Sequence, residues 1–321
     1  MVAHLGSELV KILVTGAAGM IGRKLCERLA KEGAGELILH DIVTAGPGSL
    51  VSDFSAAGEA EKLIASRPDI IFHLAAIVSG EAEADFDKGY RINLDGTRRL
   101  FEAIRKAGEG YKPRVVFTSS IAVFGAPFPD AIGDEFLNAP LTSYGTQKAI
   151  GELLLSDYSR RGFFDGIGIR LPTICVRPGK PNKAASGFFS GILREPLAGQ
   201  EAVLPVPDTV RHWFASPRAA IDFLIHAAKI DTGLLGTRRN LSMPGITATI
   251  AEEIEALRKV GGDKAVRLIR REPDATIMRI VEGWPRNFDA RRALALGFRA
   301  DPSFEHIVRY HVEDEAPQAR A

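Results

Sequence analysis

Disulfides, metal clusters, membrane spans and an excess of one charge are all missing from this sequence. Its 321 residues include two cysteines, Cys26 and Cys175, which give neither a metal-ligand spacing nor a disulfide framework. Both are expected to be buried bystander thiols in a reducing compartment. No stretch approaches the roughly 18 consecutive apolar residues of a membrane span. The first residues, MVAHLGSELV, show neither the basic nor the apolar region of a secretory leader, so a cytoplasmic protein is expected. Lys and Arg total 41 against 40 Asp and Glu, which leaves no strong field for nucleic acid or an anionic membrane. Internal repeats are absent, and only the tail from about Glu313, EDEAPQARA, looks too polar and small to be ordered. What remains is a chain with 45% hydrophobic residues, long enough for a large core and two lobes, whose partner is expected to be a small molecule.

The stretch Lys11 to Gly22, KILVTGAAGMIG, reads as a strand, a glycine turn and a helix start. Ile12, Leu13 and Val14 form an apolar run suited to a strand covered on both faces, as in a parallel sheet. Gly16, Gly19 and Gly22 follow at three-residue spacing, with the helical pattern Ile21, Leu25, Leu29 beginning inside them. Glycine permits a tight turn and close approach of backbone N–H groups to an anion, and the helix N-terminus adds the positive end of a dipole. A pyrophosphate fits such a place, although a plain strand-to-helix turn would show the same glycines.

Strand and helix patterns then alternate. Leu37 to Asp41 reads as a second strand ending in an acid, 19 residues beyond Gly22, near the spacing at which a carboxylate takes the adenosine ribose hydroxyls. That charge would repel a 2′-phosphate, which favours NAD over NADP. A short strand near Leu50 to Asp53 is followed by a helix and by the strand Asp69 to Ala76, in which His73 is expected to be a satisfied core residue. An amphipathic stretch over about Phe86 to Lys106 contains Asn93, and Val115 to Ser120 reads as a strand running into two serines. The alternation predicts right-handed crossovers and one parallel sheet with ligands at the strand C-terminal ends. Gly166 to Cys175 reads as a sixth strand broken by Pro172. The Pro- and Lys-rich segment Arg177 to Lys183 then leaves the sheet to begin a smaller lobe. A helix from Ser216 (Ala219 to Ala228) is expected to return to the sheet. Thr249 and Glu252 form a capping box for a helix ending near Val260. Val266 to Ile269 is expected to be a strand of the small lobe, and Ala290 to Leu296 and Phe304 to Tyr310 closing helices. The expected division is 10–175, with a returning segment at about 208–230, against 176–207 and 231–312.

Tyr144 and Lys148 stand at i and i+4, neighbours on one helical face. A phenol titrates near 10, and an ammonium held close is what would let it act as a base near neutral pH. Ser119 and Ser120 precede this pair by 24 residues or more, at a strand end where ligands bind in such sheets.

With GAAGMIG at Gly16 to Gly22, HLAA at His73 to Ala76, SSIAVFG at Ser119 to Gly125 and YGTQK at Tyr144 to Lys148, the chain resembles the extended short-chain dehydrogenases, in the NAD-dependent epimerase/dehydratase family, over about Lys11 to Phe298. The resemblance implies a Rossmann doubly wound parallel sheet with a smaller C-terminal substrate lobe. It also implies NAD held by Gly16, Gly19, Met20, Ile21 and Gly22. Asp41 and Ile42 would meet the adenosine ribose, Asp53 and Phe54 the adenine, and Leu74, Ala75, Ala76 and Thr173 would line the cofactor, with Asn93 as support. Lys148 would bind the nicotinamide ribose, Tyr144 would be the acid/base and Ser120 would polarise the substrate oxygen. Helices matching about Phe86 to Lys106 and Ser143 to Arg161 often pair across a dimer in this family, so a homodimer is expected.

Two departures bear on the substrate. Relatives that act on nucleotide sugars usually carry an Asn after the sixth strand and a later Arg-Asp-aromatic motif; here Leu171-Pro172-Thr173 and Arg211-His212-Trp213 stand instead. Arg211 could meet a carboxylate. More narrowly, RLPTICVRPGKPN, SGFFSGILREPLAG and WPRNFDARRALALGF are similar to the D-erythronate dehydrogenase family, which oxidises a four-carbon sugar acid at C2 with NAD. That likeness implies a small sugar-acid substrate; the cation expected to anchor its carboxylate is Arg211 first, with Arg177 or Lys183 behind it, and Ser79, in the loop after the fourth strand, is expected to add a polar contact. Two alternatives stay open: a nucleotide-sugar epimerase or dehydratase with tightly bound NAD, and a protein that binds NAD without turnover.

Overall fold

The computed structural model describes residues 9–179 and 186–315. Among the described residues twelve strands form three sheets: β1 (Lys11–Thr15), β2 (Glu36–Asp41), β3 (Leu50–Val51), β4 (Ile70–His73), β5 (Arg114–Ser120), β6 (Asp165–Leu171), β7 (Thr173–Ile174), β8 (Ala202–Leu204), β9 (Arg211–Ala215), β10 (Asn240–Ser242), β11 (Ile246–Thr249) and β12 (Ile269–Arg271). The large sheet has the order β10-β6-β5-β4-β1-β2-β3, and every neighbouring pair in it runs parallel.

Strand β1 explains how the layers form. Successive side chains alternate between faces, so Ile12 and Val14 pack with Leu25, Leu29 and Leu224 on one side. Leu13 packs on the other side with Leu63, Leu100 and Ile104. All three are at most 2% exposed, and each such burial contributes about 1.5–3 kcal/mol. Helices therefore cover both faces, and the strand order reverses between β1 and β4. Ligands in open α/β sheets bind in the crevice at such a reversal. The Rossmann doubly wound architecture expected from the sequence is present.

The smaller lobe consists of a three-stranded sheet, β11-β9-β7, and a two-stranded one, β12-β8. Its core joins Phe214 of β9 with Phe189, Leu257, Phe304 and Ile307, drawn from the helices Gly187–Leu197, Ile250–Val266 and Phe304–Glu315. The capping box at Thr249 and Glu252 is formed, and Gly262 (φ 74°) kinks the helix that it starts.

Several boundaries differ from expectation. The returning segment extends further than residue 230, because β10 pairs with β6 in the large sheet. By contrast β9 stays outside that sheet, pairing with β7 and β11. The sixth strand ends at Leu171: Pro172 cannot donate to a ladder, and the next two residues join the other sheet. Residues up to Val266 are helical and the small-lobe strand begins at Ile269. Glu313 to Glu315 belong to the last helix, tied by Arg218 to Asp314 and Lys24 to Glu315. Residues 316–321 of the expected disordered tail lie outside the described residues.

Both cysteines are buried and free. Among the described residues no group of side chains could hold a metal ion, and no helix is long and apolar enough to cross a membrane.

Candidate active site

A cleft of about 360 Å³ opens at the C-terminal ends of β1, β4, β5 and β6. Its floor is the glycine turn. Gly16 has φ +77°, and a Cβ there would lie 2.7 Å from the Ala75 nitrogen. A Cβ on Gly22 would lie 2.0 Å from the Gly16 carbonyl oxygen, so only glycine lets the helix Met20–Lys31 start this close to β1. Gly19 caps that helix, and Gly16, Gly19, Met20, Ile21 and Gly22 all line the cleft. This cradle and helix N-terminus suit a pyrophosphate. Asp41 ends β2 beside the turn, where its carboxylate accepts from the Ala18 and Ile42 amides at 2.9 and 2.7 Å. Asp41, read from the sequence as the ribose acid, is thus fixed to the glycine turn itself.

Asp53 and Phe54 are arranged differently from one another. Asp53 accepts from Ser55 Oγ at 2.6 Å and pairs with Arg91 at 2.6 Å, which holds its carboxyl below the usual range against the opposing effect of burial. The Phe54 ring is 5% exposed and packs edge-on against His73, so only its backbone is left to meet an adenine.

The wall after β4 is held from behind. Asn93 accepts from the Ile77 amide at 2.9 Å and donates to the Ile77 carbonyl at 3.2 Å and to Gln147 Oε1 at 2.8 Å. It lies in a wide π-helical segment, Tyr90–Gly96, between the helices Phe86–Gly89 and Thr97–Lys106, the kind of local rewinding that re-aims a side chain. Leu74 and Ala76 face the cleft, whereas the Ala75 side chain packs into the core under the sheet. His73 is a core residue, as expected: its ring nitrogens meet Thr15 Oγ1 at 2.8 Å and Thr97 Oγ1 at 2.9 Å. Burial holds it neutral, with its pKa down to about 3.

The helix Ser143–Arg160 is capped by Thr142, whose hydroxyl accepts from the Gly145 amide at 3.1 Å. It presents Tyr144 and Lys148 to the cleft beside Ser120. Lys148 Nζ donates to the Thr118 carbonyl at 2.8 Å and lies 5.7 Å from the centre of the Tyr144 ring. Burial lowers Lys148 to about 8, opposed by the charge of Glu152. Burial likewise raises the Tyr144 phenol, and the groups that pull it back are Arg177 and the Ser120 hydroxyl. Lys148 is thus held at the end of β5 with its ammonium beside the Tyr144 ring, and Arg177 is a second cation whose charge favours the phenolate.

Arg211, the first-choice anchor for a carboxylate, is elsewhere. As the exposed first residue of β9, it stands 3.6 Å from Glu252 and lines a separate cleft with Phe128, Asp130 and Arg286. The physical reason is the placement of β9 in the small-lobe sheet. Arg177 lines the main cleft instead, together with Ser190 and Arg194. Its amide donates to Ser190 Oγ at 2.9 Å, and its carbonyl accepts from Arg194 at 2.7 Å. Lys183 lies outside the described residues. Thr173 faces away from the cleft and shares a 2.7 Å hydrogen bond with His212 Nε2. Ser79 begins the short helix Ser79–Ala84, and it is the neighbouring Val78 that lines the cleft. Sequence reasoning missed Ser190 and Arg194 as site residues, although with Gly187 their spacing places all three on one face of a helix. Among the described residues no Asp or Glu lines this cleft, so its charged side chains are all cations.

The model of the NAD dependent epimerase/dehydratase family matches residues 12–228. The chain belongs to that family. It is an NAD-dependent short-chain dehydrogenase of the extended type, and the cradle, Asp41 and the Tyr144–Lys148 helix fit the cofactor. The chain is 45% identical over 321 aligned residues to D-erythronate dehydrogenase of Cupriavidus necator, covering 95% of this chain and 98% of that protein. It is 40% identical to D-erythronate dehydrogenase of Haemophilus influenzae, covering 95% and 99%. A crystal structure described as a nucleoside-diphosphate-sugar epimerase from Agrobacterium tumefaciens is 66% identical, with a TM-score of 0.93 over 98% of this chain and 97% of that one.

Proposed function

We propose that this enzyme oxidises the C2 hydroxyl of a small sugar acid, D-erythronate to 2-oxo-erythronate, in the cytoplasm. The observation that carries the reading is that Tyr144, Ser120 and Arg177 line one cleft whose charged side chains, among the described residues, are all cationic. A 2-hydroxy acid has an alcohol and a carboxylate on adjacent carbons, and needs an acid/base and a cation at that separation. The names of the Cupriavidus and Haemophilus relatives favour the same substrate.

In this reading the large-sheet lobe holds NAD and the smaller lobe contributes most of the substrate's surroundings. Arg177 binds the carboxylate through a charged, planar contact. The Tyr144 phenolate takes the proton of the C2 hydroxyl, and Ser120 donates a hydrogen bond to that oxygen as it becomes a carbonyl. Lys148, anchored to Thr118, holds a positive charge beside the reacting centre and a donor for the nicotinamide ribose. A bound NAD would supply the acceptor for the hydride that leaves C2. A homodimer is part of the proposal: Phe86 and Leu153 are 58% and 69% exposed, on the two segments expected to pair.

Mixing the protein with NAD, four- to six-carbon aldonates, a uronate and UDP-sugars, and following absorbance at 340 nm, tests the reading. Stoichiometric NADH with D-erythronate and little with the rest is the expected result. A second reading, a nucleotide-sugar epimerase, is favoured by the name of the Agrobacterium structure. Conversion of a UDP-sugar to an isomer, with no NADH from any acid, would establish it in place of the first.

A further inference from the structure

Behind Tyr144 and Lys148, the same helix carries a charge that the chemistry so far leaves unused. Glu152 is 1% exposed and Arg170, on β6, is 9% exposed. They meet in a fork, Nε to Oε1 at 2.8 Å and Nη2 to Oε2 at 2.7 Å. Burying two ions costs hydration that an apolar pair would not lose, so such a pair is weak evidence of a stabilising role. Its other contacts are more telling. Ser119 Oγ donates to Glu152 Oε1 at 2.6 Å, and Asn138 Nδ2 donates to Oε2 at 2.9 Å. The guanidinium carbon of Arg170 lies 4.8 Å over the Phe124 ring. One carboxylate thus ties the catalytic helix to the ends of β5 and β6 and to the segment that follows Ser120.

The tie falls between functional groups on both elements. Ser119 stands between Thr118, whose carbonyl holds Lys148, and Ser120. Glu152 stands one helical turn beyond Lys148 and two beyond Tyr144. We propose that Glu152, oriented by Arg170, is a positioning residue: through Ser119 it holds the end of β5 against the catalytic helix, and so sets the separation at which Ser120 and Tyr144 share one substrate oxygen. Its charge acts as well. The titratable and charged groups around Lys148 are Tyr144 and Glu152 on its own helix, His73 on β4, Arg170 on β6 and Arg177 after β7. His73 is neutral, so Glu152 is the acid that favours the ammonium.

The activity arm of the test rests on the proposed sugar-acid oxidation; a second arm needs no substrate. Ser119→Ala, Glu152→Gln and the double variant Glu152→Gln/Arg170→Gln are compared for melting temperature, NAD affinity, kcat, KM and the pH profile of kcat/KM. In parallel, the phenolate absorbance of Tyr144 is titrated near 295 nm, taking Tyr144→Phe as the blank. Expected are a fall in kcat of tenfold or more in all three, KM and NAD affinity within threefold, and a shift of half a pH unit or more in the Tyr144 titration of the Glu152 variants. The acid limb of kcat/KM should move to lower pH when the carboxylate is removed. Glu152→Gln leaves Arg170 buried and unpaired, so it is expected to be the least stable variant; the double variant should regain that stability without regaining kcat. Unchanged kcat and Tyr144 titration in Ser119→Ala and in the double variant would overturn the proposal and leave the pair a purely structural one. Absence of wild-type turnover on any acid would sink the substrate reading alone, and the Tyr144 titration would still decide the role of Glu152.

Discussion

Lys148 donates its 2.8 Å hydrogen bond to the carbonyl of Thr118, two residues before Ser120 on β5. The ammonium is therefore a strut between the helix that carries Tyr144 and the strand that carries Ser120. It is buried in that role, and burial is what lowers it to about 8.

A pH dependence follows from that value. The proposed mechanism needs Tyr144 deprotonated and Lys148 protonated, while the phenol is raised above its ordinary value and the ammonium lowered. The first proton to leave is that of the lower group, the Lys148 ammonium, and the second is that of the phenol; the required form, with one proton on the pair, is populated between the two steps. Sugar-acid oxidation should therefore rise with pH through about 8 and fall only at a higher pH set by the phenol. A kcat/KM profile that is flat between pH 6 and 9 would contradict this ordering.

Tyr144→Phe removes the proton acceptor and keeps the ring. A loss of roughly 10²- to 10⁴-fold in kcat is expected from the usual contribution of a positioned acid/base, with NAD affinity nearly unchanged in a calorimetric titration. Near-normal turnover would take the base assignment away from Tyr144.

The two arginine candidates separate cleanly. Arg177→Met should raise KM for the acid by roughly 10- to 150-fold, the equivalent of a hydrogen bond to a charged group. Arg211→Met, in the other cleft, should change KM less than threefold. The opposite ranking in steady-state kinetics would restore Arg211 as the anchor.

Glu253 is fully buried, and both of its carboxyl oxygens lack hydrogen-bond partners among the described residues. Burial raises it well above the ordinary carboxylic value. The sign follows from proton counting: the folded state keeps a proton that the unfolded chain releases above about 4.5, so stability contributed by this group is lost as pH rises. Glu253→Met should raise the melting temperature, and the gain measured by differential scanning fluorimetry should be larger at pH 8 than at pH 5. A pH-independent difference would mean that Glu253 is ionised in the fold.

Much of the architecture was legible because it is written in local patterns. Ile12 to Val14 announce a strand covered on both faces, three glycines announce the turn, Asp41 falls at the ribose spacing, and Thr249 with Glu252 announces a helix start. Each depends on residues within a few positions of one another, or on the repeat of strand and helix. The destination of short strands was less legible. Asn240 to Ser242 and Arg211 to Ala215 are both brief, and nothing within three to five residues tells which sheet a strand will join.

By itself, then, the sequence determined the parallel sheet, the cofactor cradle and the placing of Tyr144 and Lys148 on one helical face, because backbone periodicity and glycine sterics act over short range. Only the tertiary structure decided that Arg177 lines the same cleft as Tyr144, where the Lys148 ammonium goes, and that Glu152 reaches Ser119 and Arg170. Those contacts join residues 18 to 33 positions apart, and charged side chains of similar composition compete for each of them. Strand order and the direction of each buried side chain settle that competition, since an ion taken from water must find its partner within hydrogen-bond reach.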